Sequence, residues 1–516
     1  MIRQIWPIRR MALILPMLFG AGALSAEDIA VDCSAELTMN AGSGDFAPYY
    51  IMSNRHGVLT QPAGATLRLA AIKPMDQDKR FSWSAGVDFI TGVATRTDYE
   101  RYSAADGAWI VHPEGPAPIH LQQLYGELKW RSLFLTVGMK QHESALLNFS
   151  LSSGDLTESG NARPIPEVRV GFIDFQNIPL TNGWVQIQGE IGYGKMTDNR
   201  WLRNHYNYYN YHFTQSAWYN YKRMYFRTKP SERFSVTLGM QAAGQFGGDV
   251  AWYSHGEKIR SERQPATLKT FLKMLIPGSD GVYYAGNHLG SWDFLGRYRL
   301  RCGDELRAYF QWPWEDGSGI GKLNGFDGLW GVEWRRADRW WITAVVAEYL
   351  DFTNQSGPIH WAPGDNAGTN LPAHTTGGDQ YYNNQHYNGY ANYGMGIGSP
   401  FLPGPIYNRD GYMAYVDNRV RGFHIGVSGA IGRSVDWRVL GGYRTGYGDS
   451  RWPRQYPVYN TSLMVEATWR VPRVSGLTLS GQVAMDHGDM LGDNVGACVS
   501  VRYDCRLLAN KLIRRQ

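Results

Sequence analysis

The stretch Gly183-Trp184-Val185-Gln186-Ile187-Gln188-Gly189-Glu190-Ile191-Gly192-Tyr193 decides the fold class. Val185, Ile187, Gly189, Ile191 and Tyr193 occupy one phase, and Trp184, Gln186, Gln188 and Glu190 occupy the other. A period of two marks a strand, here with one apolar and one polar face. The pattern recurs along the chain. Leu133, Leu135 and Val137 alternate with Phe134, Thr136 and Gly138. Phe234, Val236, Leu238 and Met240 alternate with Ser235, Thr237, Gly239 and Gln241. Leu477, Leu479, Val483 and Met485 alternate with Thr478, Ser480, Gln482 and Asp486. One-sided strands in an exported chain are what a membrane β-barrel needs, with lipid outside and water inside. A β-sandwich or propeller would aim the apolar face at a core, but no blade-length repeat accompanies these strands.

Residues 1–26 have the form of a signal peptide. Arg3, Arg9 and Arg10 form a basic end, Met11–Leu24 is apolar, and small residues follow at Ala21-Gly22-Ala23 and Ala23-Leu24-Ser25. The apolar stretch is short and broken by Pro16 and Gly20, which disfavours an anchor helix. Beyond it no run of about 18 apolar residues occurs, so no transmembrane helix is expected. The mean hydropathy of −0.38 does not argue against a membrane, because the lumen-facing half of a barrel is polar. The formal net charge is +5, and it falls to +2 without the three leader arginines. With both signs mixed and no polybasic tract, nucleic acid is not an expected partner.

Strand parity gives the topology. Tight connections fall near Lys73–Lys79, Trp130–Ser132, Pro179–Gly183, Lys229–Glu232, Arg301–Asp304, Arg336–Arg339, Ile431–Ser434 and Pro472–Gly476. Long ones fall near Gly92–Pro118, Gln141–Pro166, Lys195–Tyr208, Gly244–Asn287, Pro313–Asp327, Phe352–Asp410 and Tyr447–Tyr459, with a shorter one near His487–Asp493. Short periplasmic turns alternating with long outer loops are the barrel pattern. The strand near Ala65–Ile72 runs downward, so an upward strand must precede it, and Phe46–Ser53 is the candidate. The expectation is an all-β, antiparallel transmembrane barrel of about 18 strands whose two ends share the periplasmic side. The resulting divisions are a signal peptide at 1–26, a periplasmic segment at 27–45, the barrel at 46–503 and a periplasmic tail at 504–516. On this topology Cys33, Cys302 and Cys505 lie on the periplasmic side, where two of them could pair or all remain free. Cys498 and Cys505 are too far apart to pair along one extended strand, since seven residues span about 24 Å and a disulfide needs Cα atoms within about 7 Å.

Several segments resemble the Wzi-type capsule assembly proteins. They are Gly154-Asp155-Leu156-Thr157-Glu158-Ser159-Gly160-Asn161-Ala162-Arg163-Pro164-Ile165-Pro166, Ala47-Pro48-Tyr49-Tyr50 with Gly57-Val58-Leu59, and Gly378-Asp379-Gln380-Tyr381-Tyr382-Asn383-Asn384 with Gly396-Ile397-Gly398-Ser399-Pro400. The resemblance runs from about Phe46 to Tyr503. It implies an 18-stranded outer-membrane barrel, plugged in its lumen, that acts as a lectin holding capsular polysaccharide at the cell surface. The family's helical lumen plug is not identifiable here; Ala266–Ile276 has helical apolar spacing (Leu268, Phe271, Leu272, Leu275) but falls in an outer loop. The chain also continues past Tyr503, whereas outer-membrane barrels commonly end on an aromatic residue of the last strand.

Two regions have a composition suited to sugars. Gly378–Tyr393 holds five tyrosines and four asparagines, and His205–Tyr221 holds six tyrosines and three asparagines. Aromatic rings stack on the C–H faces of sugars, while Asn, Asp and tyrosine hydroxyls bond sugar hydroxyls. The polysaccharide-binding candidates are therefore Tyr381, Tyr382, Asn383, Asn384, Tyr387, Tyr208 and Tyr209, with Trp361, His374 and Asp379 as further candidates. The same tyrosines could instead line the lumen or form an interfacial girdle. Arg163 could meet an acidic polysaccharide or pair with Asp155 or Glu158 to shape its loop.

Nothing points to catalysis. There is no H-E-x-x-H or G-x-S-x-G motif, the thirteen histidines are scattered, and no carboxylate pair stands out among many. Gly394-Met395-Gly396-Ile397-Gly398 lacks the strand-to-helix context of a phosphate site. The sequence reading is a non-enzymatic, cofactor-free, metal-free lectin of the cell outer membrane. Its partners are capsular or extracellular polysaccharide, outer-membrane lipid and polysaccharide export machinery, and it acts as a monomer. The alternative is a porin-like channel for small solutes or oligosaccharides, which differs in having an open lumen.

Overall fold

The computed structural model describes residues 30–229, 231–275, 286–315, 325–355 and 380–508, and the backbone alone at 360–361 and 374–375. The wall is a closed barrel of eighteen antiparallel strands. They are β1 (Ala30–Ser43), β2 (Gly64–Lys73), β3 (Phe81–Ala94), β4 (Ile119–Trp130), β5 (Leu133–Met139), β6 (Glu167–Phe172, resuming at Gln176–Asn177), β7 (Val185–Lys195), β8 (Trp218–Thr228) and β9 (Phe234–Phe246). The second half comprises β10 (Asn287–Arg299), β11 (Glu305–Glu315), β12 (Gly328–Arg335), β13 (Ala344–Asp351), β14 (Val420–Ile431), β15 (Val435–Gly448), β16 (Pro453–Arg470), β17 (Leu477–Gly488) and β18 (Asn494–Leu508). β1 pairs with β2 on one side and with β18 on the other, from Ala30 opposite Leu508 to Ser43 opposite Val495. Closure leaves no strand edge to template pairing with another chain.

The alternation read in the sequence is the inside–outside alternation of this wall. In β18, Val495, Val499, Val501 and Tyr503 are exposed on the outer surface, while Asn494 and Cys498 are buried inward. Trp130, Tyr298, Trp469 and Tyr503 lie exposed near the short-turn end, and Trp330, Phe423 and Tyr459 near the other. This is an apolar belt edged by aromatic rings. Among the described residues no helix is long and apolar enough to cross a membrane; the strands do so.

Three features differ from the sequence reading. The first strand is Ala30–Ser43, not Phe46–Ser53. Thr38 and Asn40 point inward between outward Leu37 and Met39, an alternation too polar and small-residue-rich to stand out. Phe46–Met52 is apolar on every side, and it is buried on every side, with one helical turn (Tyr49–Met52) inside the barrel. The wall therefore starts within the segment assigned to 27–45 and runs past Tyr503 into the tail assigned to 504–516. Thirdly, the long loop expected at Tyr447–Tyr459 is a four-residue connection, because β15 and β16 continue to a Gly448–Pro453 pair after an irregularity beyond Gly446. The proposed leader at 1–26 and the residues after Leu508 lie outside the described residues.

The lumen is filled by the chain. Residues 140–166 reach across it to strands on every side. Ser152 Oγ donates to Glu348 on β13 (2.6 Å), the Leu156 amide donates to Gln311 on β11 (3.1 Å), and Thr157 Oγ1 meets Ser291 on β10 (3.2 Å). Asp155 accepts from Gln241 on β9 (3.0 Å) and Gln311 (2.9 Å), and Glu158 meets Arg169 on β6 (2.6 Å). Residues 44–63 enter from the β1–β2 connection: the Tyr49 amide donates to Asp486 on β17 (2.8 Å), and Tyr50 Oη pairs with His424 on β14 (2.8 Å). Residues 380–419 complete the plug. Part of the polar inner face of the barrel, which would be wet in an open pore, is here hydrogen-bonded by plug groups, which offsets the cost of its burial. A cavity of about 540 Å³ remains beside the plug, between Arg55, His56, Glu143 and Ser152 of the plug and Glu36, Arg68, Arg438, Glu466 and Arg502 of the wall.

The expected electrical consequence is a closed barrel. Purified protein in a planar bilayer should carry no steady current on the scale of an open pore of this strand number. A large, stable conductance would contradict the packing described.

Candidate functional site

The segments that carry the family resemblance meet inside the lumen. The His56 amide donates to the Gly160 carbonyl (2.7 Å), and the Asn54 amide to Asn161 Oδ1 (3.2 Å). Asn161 Nδ2 donates to the Gly396 carbonyl (3.0 Å), and the Ser159 amide to Ile397 (2.9 Å). Gly154 has φ +115°, and a Cβ there would lie 2.7 Å from Pro400 Cδ. These motifs therefore build the plug. Arg163 pairs with neither Asp155 nor Glu158; its guanidinium lies 4.6 Å from the centre of the Tyr393 ring.

The sequence-predicted site residues divide accordingly. Tyr381, Tyr382, Tyr387 and Asn383 are buried. Tyr381 Oη donates to the Gly290 carbonyl of β10 (2.8 Å), Tyr382 Oη to Leu156 (2.6 Å) and Tyr387 Oη to Gly247 (3.3 Å). Asn383 Nδ2 donates to Gln380 Oε1 (2.8 Å) and the Tyr415 carbonyl (2.9 Å), and its Oδ1 accepts from the Tyr415 amide (2.8 Å). Asn384 is half-buried, bonding Asn287 and the His386 amide. The structure thus places Tyr381 and Asn384 between plug and wall and Tyr382 and Asn383 within the plug, and of the five only Asn384 is partly exposed. Here tyrosine and asparagine supply large side chains that fill the lumen and hydrogen-bond both plug and wall groups. The backbones of Trp361 and His374 pair in a two-residue ladder, and Asp379 lies outside the described residues.

Tyr208 and Tyr209 stand in a different setting, a collar above the long-loop end. Three pieces form it. The Gly92–Pro118 connection is a hairpin, Thr97–Ser103 paired with Ala108–Glu114. A second hairpin, Asp249–Ser254 with Glu257–Arg263, pairs with His212–Gln215. Between them runs the segment after the helix Asn199–His205. Backbone bonds lock the pieces: the Tyr102 amide donates to Asn207 (2.9 Å), Glu100 to Arg409 (2.7 Å) and Tyr253 to Tyr211 (2.8 Å).

The collar presents one ring cluster to solvent. Tyr209 lies 4.8 Å from Tyr102 and 5.0 Å from Trp109, ring centre to ring centre, and Tyr102 lies 5.6 Å from Trp109. Trp109 is 45 % exposed, and Tyr102 and Tyr209 are half-buried. Tyr209 Oη is 3.1 Å from His255 Nδ1. Gly256 (φ +86°) lets the second hairpin turn against Tyr102, since a Cβ would sit 2.5 Å from that ring. Beside the cluster, Tyr208 packs on Tyr206 and Tyr253 and carries the Arg101 guanidinium 4.6 Å from its ring centre. Deeper in the collar, burial pushes the His212 imidazole down to about 4 and His205 to about 3, so both are neutral near pH 7. Fixed, partly exposed rings flanked by Arg101 and His255 can stack on sugar C–H faces and bond their hydroxyls.

Tyr102, Trp109 and His255 were missed in the sequence. The usable signals were the Asp106-Gly107 and His255-Gly256 turns, each between residues that pair as strands. Among the described residues no group of three His, Cys, Asp or Glu side chains is arranged to hold a metal ion.

No family model matches the chain, and no curated protein matches it in sequence. Solved structures do match. Wzi, described as an outer membrane protein involved in group 1 capsule assembly in Escherichia coli and a carbohydrate-binding β-barrel, aligns over 92 % of this chain and 84 % of its own, with a TM-score of 0.53 and 14 % identity. OccAB4 of Acinetobacter baumannii covers 93 % and 99 % of the two chains (TM-score 0.45, 11 % identity), and OccD3 (OpdP) of Pseudomonas aeruginosa covers 95 % and 94 % (0.44, 9 %). At these identities the likeness is one of fold: the chain is similar to large β-barrels that include outer-membrane proteins.

Proposed function

We propose that the protein is an outer-membrane lectin that binds capsular or extracellular polysaccharide and supports its attachment at the cell surface. Residues 1–26 direct its export, the short turns face the periplasm, and the collar faces outward. The observation that carries the reading is the partly exposed Tyr102, Trp109 and Tyr209 cluster above a lumen occupied by the chain's own segments. A filled lumen leaves the outer loops as the working surface and weighs against a porin-like channel. Single ring–sugar contacts are weak, but a repeating glycan presents many, and each bound repeat raises the effective concentration of the next. The protein acts here as a binder and anchor, without catalysing a reaction.

Cells deprived of the protein are expected to release polysaccharide into the medium while making a normal total. Wild-type protein should restore the surface fraction, and a Trp109→Ala, Tyr209→Ala variant inserted at equal abundance should not. Equal restoration by both proteins would refute the role of the collar. An unchanged surface fraction on loss of the protein would refute the function.

A further inference from the structure

Cys33 and Cys505 face each other across the seam that closes the barrel. β1 and β18 are in register there, with Asp32 opposite Arg506 and Ser34 opposite Asp504 on either side. Directly opposed residues of an antiparallel pair share a face, with Cα atoms about 4.5–5.5 Å apart, within the range of about 4.4–6.8 Å that a disulfide spans. The two thiols are close enough to interact, and both are partly accessible. Strand phase puts them on the outer surface with Leu37, Met39, Val501 and Tyr503, beyond the Tyr503 ring at the short-turn end. The other cysteines are elsewhere. Cys498 is buried on the lumen side, and Cys302 is exposed in the turn between β10 and β11.

We propose that Cys33 and Cys505 form a redox site, joined in the native protein as a disulfide that staples the first strand to the last. The inference rests on residence in the outer membrane, where the short-turn end meets an oxidising compartment. The oxidant is of the exported protein-disulfide class. One cysteine thiolate attacks a sulfur of the oxidant's disulfide and forms a mixed disulfide. The other thiolate displaces the oxidant, which leaves as a dithiol carrying the two protons the cysteines lost. The link would close nearly the whole wall into one covalent loop and restrict the unfolded chain accordingly. The backbone ladder runs through this end, and the side-chain ion pairs beside it add little. Arg506–Asp32 (2.7 Å) is exposed, and exposed pairs contribute little; Arg502–Glu36 is long at 3.7 Å.

The test uses full-length protein extracted from the outer membrane without reductant, denatured, and alkylated before and after reduction. The expected result is two alkylated cysteines before reduction, Cys302 and Cys498, and four after it. A tryptic digest should contain Tyr503-Asp504-Cys505-Arg506 linked to the peptide holding Cys33. Cys33→Ser is expected to lower the temperature at which the folded barrel converts to the unfolded form by several degrees, matching reduced wild type, while Cys302→Ser leaves it unchanged. Four free thiols in correctly folded outer-membrane protein, or a link to Cys302, would overturn the disulfide and leave the location standing. Recovery from another compartment with free thiols would overturn both.

Discussion

Arg169→Ala is expected to release the plug from the wall and to cost about 3–5 kcal/mol of stability, the usual result of removing one partner from a buried ionic cluster. Arg169 projects inward from β6 with its side chain 2 % exposed. Its guanidinium meets Glu158 of the plug at 2.6 Å, Glu167 at 2.8 Å and Glu190 of β7 at 2.9 Å, and lies 4.6 Å from the centre of the Tyr221 ring. Without it, Glu167 keeps His142 at 2.9 Å and Glu190 keeps Arg223 at 3.3 Å, but Glu158 loses the ion pair that tethers its segment. Arg169→Lys should recover only part of the loss, because one ammonium cannot match the planar fork that reaches three carboxylates. The measurements are the urea midpoint of the folded barrel and protease protection of residues 140–166. Unchanged values would show that the plug is held by its other contacts.

The second large effect is expected at the collar. Trp109→Ala combined with Tyr209→Ala removes two of the three clustered rings and leaves wall and plug intact. Aromatic contacts of this kind contribute about 0.5–1.5 kcal/mol each, so the pair should weaken one glycan contact by roughly 5- to 150-fold, and a polymer engaging several repeats by more. Tyr381→Phe supplies the contrast. It removes a buried bond to the Gly290 carbonyl, so it should cost about 1 kcal/mol of stability with binding unchanged. The reverse pattern, with Tyr381→Phe abolishing binding and the collar variant neutral, would move the site into the plug.

Much of the wall was legible because lipid outside and polar groups inside impose a strict period of two, as in Val495, Val499 and Val501 against Asn494 and Cys498. That signal fails where a strand leaves the bilayer. Pro453–Val458 has no lipid to face and reads as loop, yet it continues β16. It also fails at Ala30–Ser43, whose small and polar residues hide the alternation, while the more apolar Phe46–Met52 drew the assignment. The site was less legible for a related reason. A tyrosine that bonds a buried carbonyl and one that stacks on sugar are the same residue type, so Gly378–Tyr393 and His205–Tyr221 looked alike. Only the fold separates fully buried Tyr382 from partly exposed Tyr209. Trp109 gave little local signal, because its partners Tyr102 and Tyr209 come from a hairpin strand and from a segment far along the chain.

The most direct test of the central claim is a titration of folded, detergent-solubilised protein with surface polysaccharide of its own source, fractionated by length. The account predicts weak binding of the shortest fragments, apparent affinity rising steeply with chain length, and loss of that rise in the Trp109→Ala, Tyr209→Ala variant. Absence of binding at every length, together with a stable ion conductance from the same preparation, would contradict it and make the barrel a channel.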